Sequence, residues 1–253
     1  LEGSLCWALE VVVLGALVGE IICFLMWPLK NILGIKIKVQ GEENLNTKGP
    51  YIVVANHQAN MDIIGMFEIL PDQCTFIVKR EILYMGPAGL ASWLCGFIFI
   101  NRRKKGDAIH VMSQVAQNML WENFRVWVFP EGTRNFYNKA SMLSFKRGAF
   151  HMAVQAQVPI IPVVMSSFSP FFSKSEKRFT PGECSKVRWS TQGLGPDDVP
   201  ELTERVRDVM ISTYHNISED AVGYQGTKVG AGWRKNSCLE IKTSWFLEKW
   251  LSC

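Results

Sequence analysis

The sequence predicts an α/β fold: a single domain with a largely parallel sheet flanked by helices, preceded by an N-terminal membrane-associated helix or helical hairpin. Three observations lead there. Continuous apolar runs at 51–55, 97–100, 126–129 and 160–165 have the composition of strands buried on both faces. Stretches with helical spacing of apolar residues lie between them, so strands alternate with helices as parallel crossovers require. Residues 5–29 are almost continuously apolar, long enough as a helix to cross a hydrocarbon core of about 30 Å.

Glu10 and Glu20 interrupt that N-terminal segment and Lys30, Lys36 and Lys38 follow it. Carboxylates inside a membrane are expensive, which leaves open a spanning helix, a tilted helix or a hairpin held in one leaflet. Gly15 and Gly19 form a G-x-x-x-G pair that lets another helix approach closely. A cleaved signal peptide fits poorly, because no small-residue cleavage site follows. The expected division is a membrane-embedded segment at 1–33, a globular domain at 34–217 and a C-terminal tail at 218–253.

Within the globular part, 35–40 alternates polar and apolar residues like a half-buried strand, and Gly41 to Asn44 breaks it. The strand at 51–55 follows. Residues 62–70 have helical spacing, with Ile63, Met66, Phe67 and Leu70 on one side, and Pro71 ends the run. A strand at 74–78, a short helix at 86–93 and the strand at 97–100 come next. Residues 108–121 form an amphipathic helix carrying Ile109, Met112, Val115, Ala116, Met119 and Leu120. The strand at 126–129 is closed by Pro130, a helix at 147–157 precedes the strand at 160–165, and 186–190 and 200–214 read as a last strand and a surface helix. The tail is Gly-rich and then Trp-rich, with apolar residues spread around any helix drawn through it.

Hydrophobic residues make up 48% of 253, with nine Trp and fifteen Phe, a composition that leans toward a membrane. The net charge of +4 is modest, but Arg102, Arg103, Lys104 and Lys105 cluster, as do Lys146 and Arg147, which suits anionic head groups or phosphorylated substrates. Nucleic acid is excluded as a partner, since no zinc-finger spacing, basic helix or aromatic-basic motif accompanies the charge. The seven Cys are scattered with no C-x-x-C. Neither a disulfide framework nor a metal site follows from them, and reduced thiols facing the cytosol fit better.

Four features lie at strand ends, where open α/β sheets place ligands. The first is Asn56-His57-Gln58-Ala59-Asn60-Met61-Asp62, directly after the strand at 51–55. A single helix would set His57 and Asp62 roughly 140° apart, so they share a face only if the chain turns between them. Given such a turn, Asp62 accepts the Nδ1 proton of His57 and leaves Nε2 as a general base. The alternative is two unrelated loop residues. The second feature is Gly96-Phe97-Ile98-Phe99-Ile100-Asn101-Arg102, a buried strand that delivers an arginine at its exit. The third is Glu131-Gly132-Thr133-Arg134, where Gly132 permits a tight turn that aims Arg134 inward. The fourth is Val158-Pro159-Ile160-Ile161-Pro162-Val163. Arginine's planar fork matches phosphate oxygens in pairs, so arginines at neighbouring strand ends make a phosphomonoester clamp. His110, His151 and His215 lack a suitably spaced carboxylate and read as structural.

These motifs, in this order, resemble the glycerophospholipid acyltransferase family, in which N-H-x4-D, G-x-x-F-I-x-R, E-G-T-R and V-P-I-x-P follow one another. The wording around Phe129-Pro130-Glu131-Gly132-Thr133-Arg134 and Phe145-Lys146-Arg147-Gly148 is most similar to the 1-acylglycerol-3-phosphate acyltransferases. The resemblance implies transfer of a fatty acyl group from acyl-CoA to the sn-2 hydroxyl of lysophosphatidic acid, giving phosphatidic acid at the endoplasmic reticulum membrane. It implies no cofactor beyond acyl-CoA as co-substrate, and no metal. His57 is then the base and Asp62 its orienting partner. No G-x-S-x-G is present, so the acceptor hydroxyl itself attacks the thioester. Arg102, Glu131, Gly132, Thr133 and Arg134 are expected to hold the acceptor's glycerol phosphate, with Glu131 ordering the arginines; the charge of Lys146 and Arg147, apart from the resemblance, suggests further phosphate contacts. Val158, Pro159, Ile160 and Pro162 are expected to shape the pocket wall. Other acceptors, such as glycerol 3-phosphate or another lysophospholipid, remain open. So do a catalytically silent lipid- or acyl-CoA-binding membrane protein and a soluble hydrolase of acyl-CoA. One departure from the family's pattern is the short stretch between the strand at 186–190 and Gly193.

Overall fold

A computed structural model describes residues 38–39, 41–59, 62–102, 104–135, 142–166, 183–186 and 189–226, with helical pieces at 14–15, 17–19, 21–22 and 24. Among the described residues seven strands form one sheet: β1 (Lys38–Val39), β2 (Ile52–Ala55), β3 (Cys74–Lys79), β4 (Ile98–Ile100), β5 (Arg125–Val128), β6 (Ile160–Met165) and β7 (Glu183–Lys186). Their spatial order is β1-β7-β6-β2-β5-β3-β4. The five strands from β6 to β4 are mutually parallel, whereas β7 runs antiparallel to β6 and β1 runs parallel to β7. The largely parallel sheet expected from the apolar runs is therefore present, with an opposed pair at one edge.

Among the described residues, and besides the N-terminal pieces, five α-helices accompany it: α1 (Asp62–Glu68), α2 (Pro87–Leu94), α3 (Lys105–Trp121), α4 (Gly148–Ala156) and α5 (Val199–Gly226). The residues of β2 show why the sheet is covered on both sides. Ile52 and Val54 belong to one core with Val115, Met119, Phe150 and Val206 from α3, α4 and α5. Val53 and Ala55 belong to another with Met66, Phe76, Trp127 and Ile161. Side chains alternate faces along a strand, and all four are fully buried. Burying Ile52, Val53 and Val54 contributes about 1.5–3 kcal/mol each before the entropy of ordering is subtracted, so a central strand with no polar residue is what this position requires.

Some expected faces are corrected. Met66 is buried as expected, but Ile63 in α1 is exposed and Ile64 and Ile69 point inward instead; in α3, Val115, Ala116 and Met119 are buried as expected while Ile109 and Leu120 lie outside. The strand expected at 186–190 appears as β7, which ends at Lys186, and a separate antiparallel bridge from Trp189 to Ile160. Helix α5 continues to Gly226, past the 200–214 expected for the last helix. Among the described residues no helix is long and apolar enough to cross a membrane, and most of 5–29 lies outside the described residues, as does the chain beyond 226. Where the N-terminal pieces are described, Gly15 sits against α2. A Cβ built on Gly15 would stand 2.1 Å from the Leu94 carbonyl oxygen, a close approach only glycine permits.

Candidate active site

The C-terminal ends of β2, β4 and β5 carry the first three motifs. After Ala55 the chain leaves the sheet through a loop at 56–59 and enters α1 at Asp62, the turn that a shared face for His57 and Asp62 demands. His57 Nδ1 lies 2.5 Å from Asp62 Oδ2. The backbone N–H of Gln58 donates to the same oxygen at 2.8 Å, and that of Ala59 reaches both carboxylate oxygens at 3.2 Å. Asp62 is fully buried. Burial pushes its carboxyl up from the ordinary value, while the bond to His57 and the two backbone donors pull the other way. Every polar neighbour thus offers a proton to Asp62, which fixes Nδ1 as the protonated ring nitrogen and turns the Nε2 lone pair outward.

Hydrogen bonds on two sides hold the His57 loop. Asn56 accepts from the Met165 N–H at 2.8 Å and donates to the Met165 carbonyl at 3.0 Å, continuing the β2–β6 pairing past its last ladder residues. Gln58 Nε2 donates to the carbonyls of Met165 and Ser166, each at 3.0 Å. On the other side Glu131 Oε1 accepts the His57 N–H at 2.7 Å, Oε2 accepts the Leu143 N–H at 2.9 Å, and the Asn135 N–H donates to the His57 carbonyl at 2.9 Å. Glu131 is 4% exposed, and burial pushes its carboxyl up against the pull of those two N–H donors. Both of its oxygens serve the protein's own backbone, so Glu131 braces the His57 loop, where the resemblance implied a place at the acceptor's phosphate or in ordering the arginines.

Cations gather on the turn after β5. Arg102, at the exit of β4, donates from Nη1 to the Gly132 carbonyl, and burial lowers its guanidinium from the ordinary value, opposed by Glu81. Gly132 has φ +70°, and a Cβ there would meet Cε and Nζ of Lys146 at 2.8 Å. Arg102 and Lys146 thus converge on one glycine, on the same turn as the exposed Thr133 and Arg134. A cleft of about 570 Å³ opens beside this region, lined by Arg80, Phe99, Asn101, Asp107 and His110 among others. His57 is not among its lining residues.

The fourth motif does not join the site. Ile160 pairs with Ile52 and Pro162 with Val54, so Val158, Pro159 and Ile160 lie at the opposite end of the sheet from His57, and Pro162 lies in its middle. Val158 and Ile160 are core residues, and the Val158 carbonyl accepts from Thr191 Oγ1 at 2.7 Å. These residues lead into and form the first part of β6; the wall near His57 on this side comes from the strand's other end, at Met165 and Ser166. Sequence reasoning also missed Phe129, whose ring stacks on His57 with centroids 4.1 Å apart and planes inclined by 19°. The only signal for it is its place as the last apolar residue before Pro130.

The site thus belongs to the class that sets a histidine paired to a buried carboxylate beside cations on the turns after β4 and β5. Comparison with known proteins gives that class its family. Residues 36–166 match the acyltransferase family. The chain is 54% identical over 209 residues to a protein from Mus musculus named 1-acyl-sn-glycerol-3-phosphate acyltransferase alpha, covering 81% of this chain and 72% of that one. It is 40% identical over 193 residues to the 1-acyl-sn-glycerol-3-phosphate acyltransferase of Saccharomyces cerevisiae, covering 75% and 63%. The crystal structure of PlsC, the 1-acyl-sn-glycerophosphate acyltransferase of Thermotoga maritima, superposes with a TM-score of 0.55 at 26% identity over 73% of each chain. The chain belongs to the acyltransferase family and is an enzyme of that class.

Proposed function

We propose that this enzyme transfers a fatty acyl group from acyl-CoA to the sn-2 hydroxyl of 1-acylglycerol 3-phosphate (lysophosphatidic acid), yielding phosphatidic acid and free CoA. The observation that carries this reading is the 2.5 Å contact of His57 with buried Asp62 beside the Arg102–Gly132–Lys146 cluster. Among the described residues Nε2 of His57 has no hydrogen-bond partner, and the side chain is 22% exposed, so this nitrogen is open to a substrate hydroxyl. In the reaction, Nε2 takes the hydroxyl proton as the oxygen attacks the thioester carbonyl. The C–O bond forms, the C–S bond breaks, and the imidazolium returns its proton to the departing CoA sulfur. Asp62 stabilises the imidazolium throughout. Positioned base catalysis is worth about 10²–10⁴-fold, and the remainder comes from holding both substrates in line. Arg102, Lys146 and Arg134 hold the acceptor's phosphate and Glu131 keeps His57 in place. No cofactor beyond acyl-CoA enters the scheme.

The names of the relatives support lysophosphatidic acid as acceptor. A membrane seat is supported by four large exposed apolar side chains between 84 and 93, Tyr84, Met85, Leu90 and Trp93. They are continuous, through the Gly15–Leu94 approach, with exposed Leu14, Leu17, Ile21 and Phe24. Exposed Lys79 and Arg80 beside them suit anionic head groups. This seat is the endoplasmic reticulum membrane in our reading, with the site at its cytosolic face. Mass spectrometry of products from detergent-purified enzyme, given mixed acyl-CoAs and lysophosphatidic acid, glycerol 3-phosphate, other lysophospholipids or no acceptor, tests the assignment. Phosphatidic acid as the dominant product is expected. Preferred acylation of another acceptor, or release of free fatty acid alone, would refute it.

A further inference from the structure

The His57–Phe129 stack has a use that the pairing with Asp62 does not cover. Asp62 fixes the imidazole at one ring nitrogen, which leaves the ring free to tilt about that bond. Phe129 lies flat against the ring face, 4.1 Å away at 19°. It is itself backed by a row of aromatic side chains, with Trp127 6.5 Å behind it, Phe76 6.2 Å further and Phe97 4.9 Å beyond that. Trp127 is 1% exposed, so the row is anchored in the sheet. An edge contact and a face contact together define the ring plane, and hence the direction of Nε2.

The stack also distinguishes the two charge states of His57. A neutral imidazole gains little beyond packing from a phenyl face. An imidazolium within about 6 Å of a ring centroid is attracted by the ring quadrupole. The charged groups that face His57 are Asp62 at the start of α1 and Glu131 on the turn after β5, and the π face supplements them from the remaining side. Because the positive charge develops only as Nε2 takes the substrate proton, this attraction acts in the transition state more than in the ground state. We infer that Phe129 is a positioning residue of the acyl transfer, holding the His57 plane and stabilising its imidazolium. The inference rests on the proposed role of His57 as base.

The test compares Phe129→Leu, which keeps apolar volume and removes the π face, with Phe129→Tyr and Phe129→Trp, which keep the face. A cation–π contribution of this kind corresponds to about 2- to 30-fold. F129L should lower kcat by that factor with KM for both substrates unchanged, and the acid limb of its kcat/KM profile should move to lower pH. F129Y or F129W should recover most of kcat and return the limb. Wild-type kcat in F129L, an unmoved acid limb, or equal losses in F129L and F129Y would overturn the inference. If F129L fails to fold, as judged by its melting transition, Phe129→Met replaces it under the same readouts. A His57→Ala variant assayed alongside separates the two claims. If it is inactive while F129L behaves as wild type, this inference alone fails, and if it is fully active, the proposed mechanism fails first.

Discussion

Replacing Glu131 with glutamine tests whether this carboxylate braces the His57 loop or touches substrate. Both oxygens accept backbone N–H groups, from His57 at 2.7 Å and Leu143 at 2.9 Å. A glutamine offers one acceptor and one NH2, so it satisfies one N–H and turns a donor toward the other. Leaving a buried donor unsatisfied costs about 1–3 kcal/mol. Removing the charge offsets part of this, because burial disfavours the carboxylate. A net loss near 1 kcal/mol, or about 2–4 °C in Tm for a chain of this size, is the expected result. The His57 loop should shift with it, and a displacement on the order of 1 Å costs roughly 10²-fold in rate. The variant should therefore show a lower kcat with KM for acceptor little changed. The substitution also has a pH signature. A carboxyl raised in the folded state binds protons more tightly there than in the unfolded chain. Its contribution favours folding at acid pH, is complete below the ordinary value and fades as pH rises through the raised one. Urea unfolding of E131Q across that acid window should accordingly show a flatter loss of stability with rising pH than wild type. Unchanged Tm with a raised acceptor KM would refute the brace and restore a substrate contact.

Three further substitutions probe the neighbouring parts. Asp62→Asn keeps the shape but presents an amide to Nδ1 and to the N–H groups of Gln58 and Ala59, so kcat should fall by about 10²–10⁴-fold, measured as initial acyl transfer at saturating substrates. Arg102→Ala removes a cation from the Gly132 turn and should raise the acceptor KM about 10- to 100-fold, the value of a charge-assisted hydrogen bond, with the acyl-CoA KM less affected in a two-substrate kinetic matrix. Gly132→Ala forces a Cβ into φ +70° at about 1–2 kcal/mol and displaces the Lys146 side chain, so both Tm and acceptor affinity should drop.

The parts of this fold that could be read from sequence are those where burial dictates residue type. Strands β2, β5 and β6 sit between neighbours and under helices on both faces, so only continuous apolar runs fit them, and their positions were evident. The His57–Asp62 pair was legible because Ala55 ends such a run and α1 must begin soon after. What escaped depends on register and direction. Val158 to Pro162 looks the same whether its strand's start or its end faces the site, and only the pairing of Ile160 with Ile52 decides it. The resemblance put Glu131 with Arg134 at the substrate phosphate, whereas its burial comes with the loop at 142–146, whose Leu143 N–H it accepts. Phe129 resembles any other core aromatic until the loop places His57 on its face. The faces of α1 and α3 were misjudged at Ile63, Ile109 and Leu120 because spacing gives a helix an apolar side without saying which neighbours arrive to cover it.

The central claim is that His57 removes the acceptor's proton, and its most direct test is acyl transfer from acyl-CoA to lysophosphatidic acid by purified His57→Ala protein, with Tm measured in parallel. Removal of the acceptor's proton by His57 requires a folded variant whose turnover is lower by at least about 10²-fold. Wild-type turnover in that variant would contradict it.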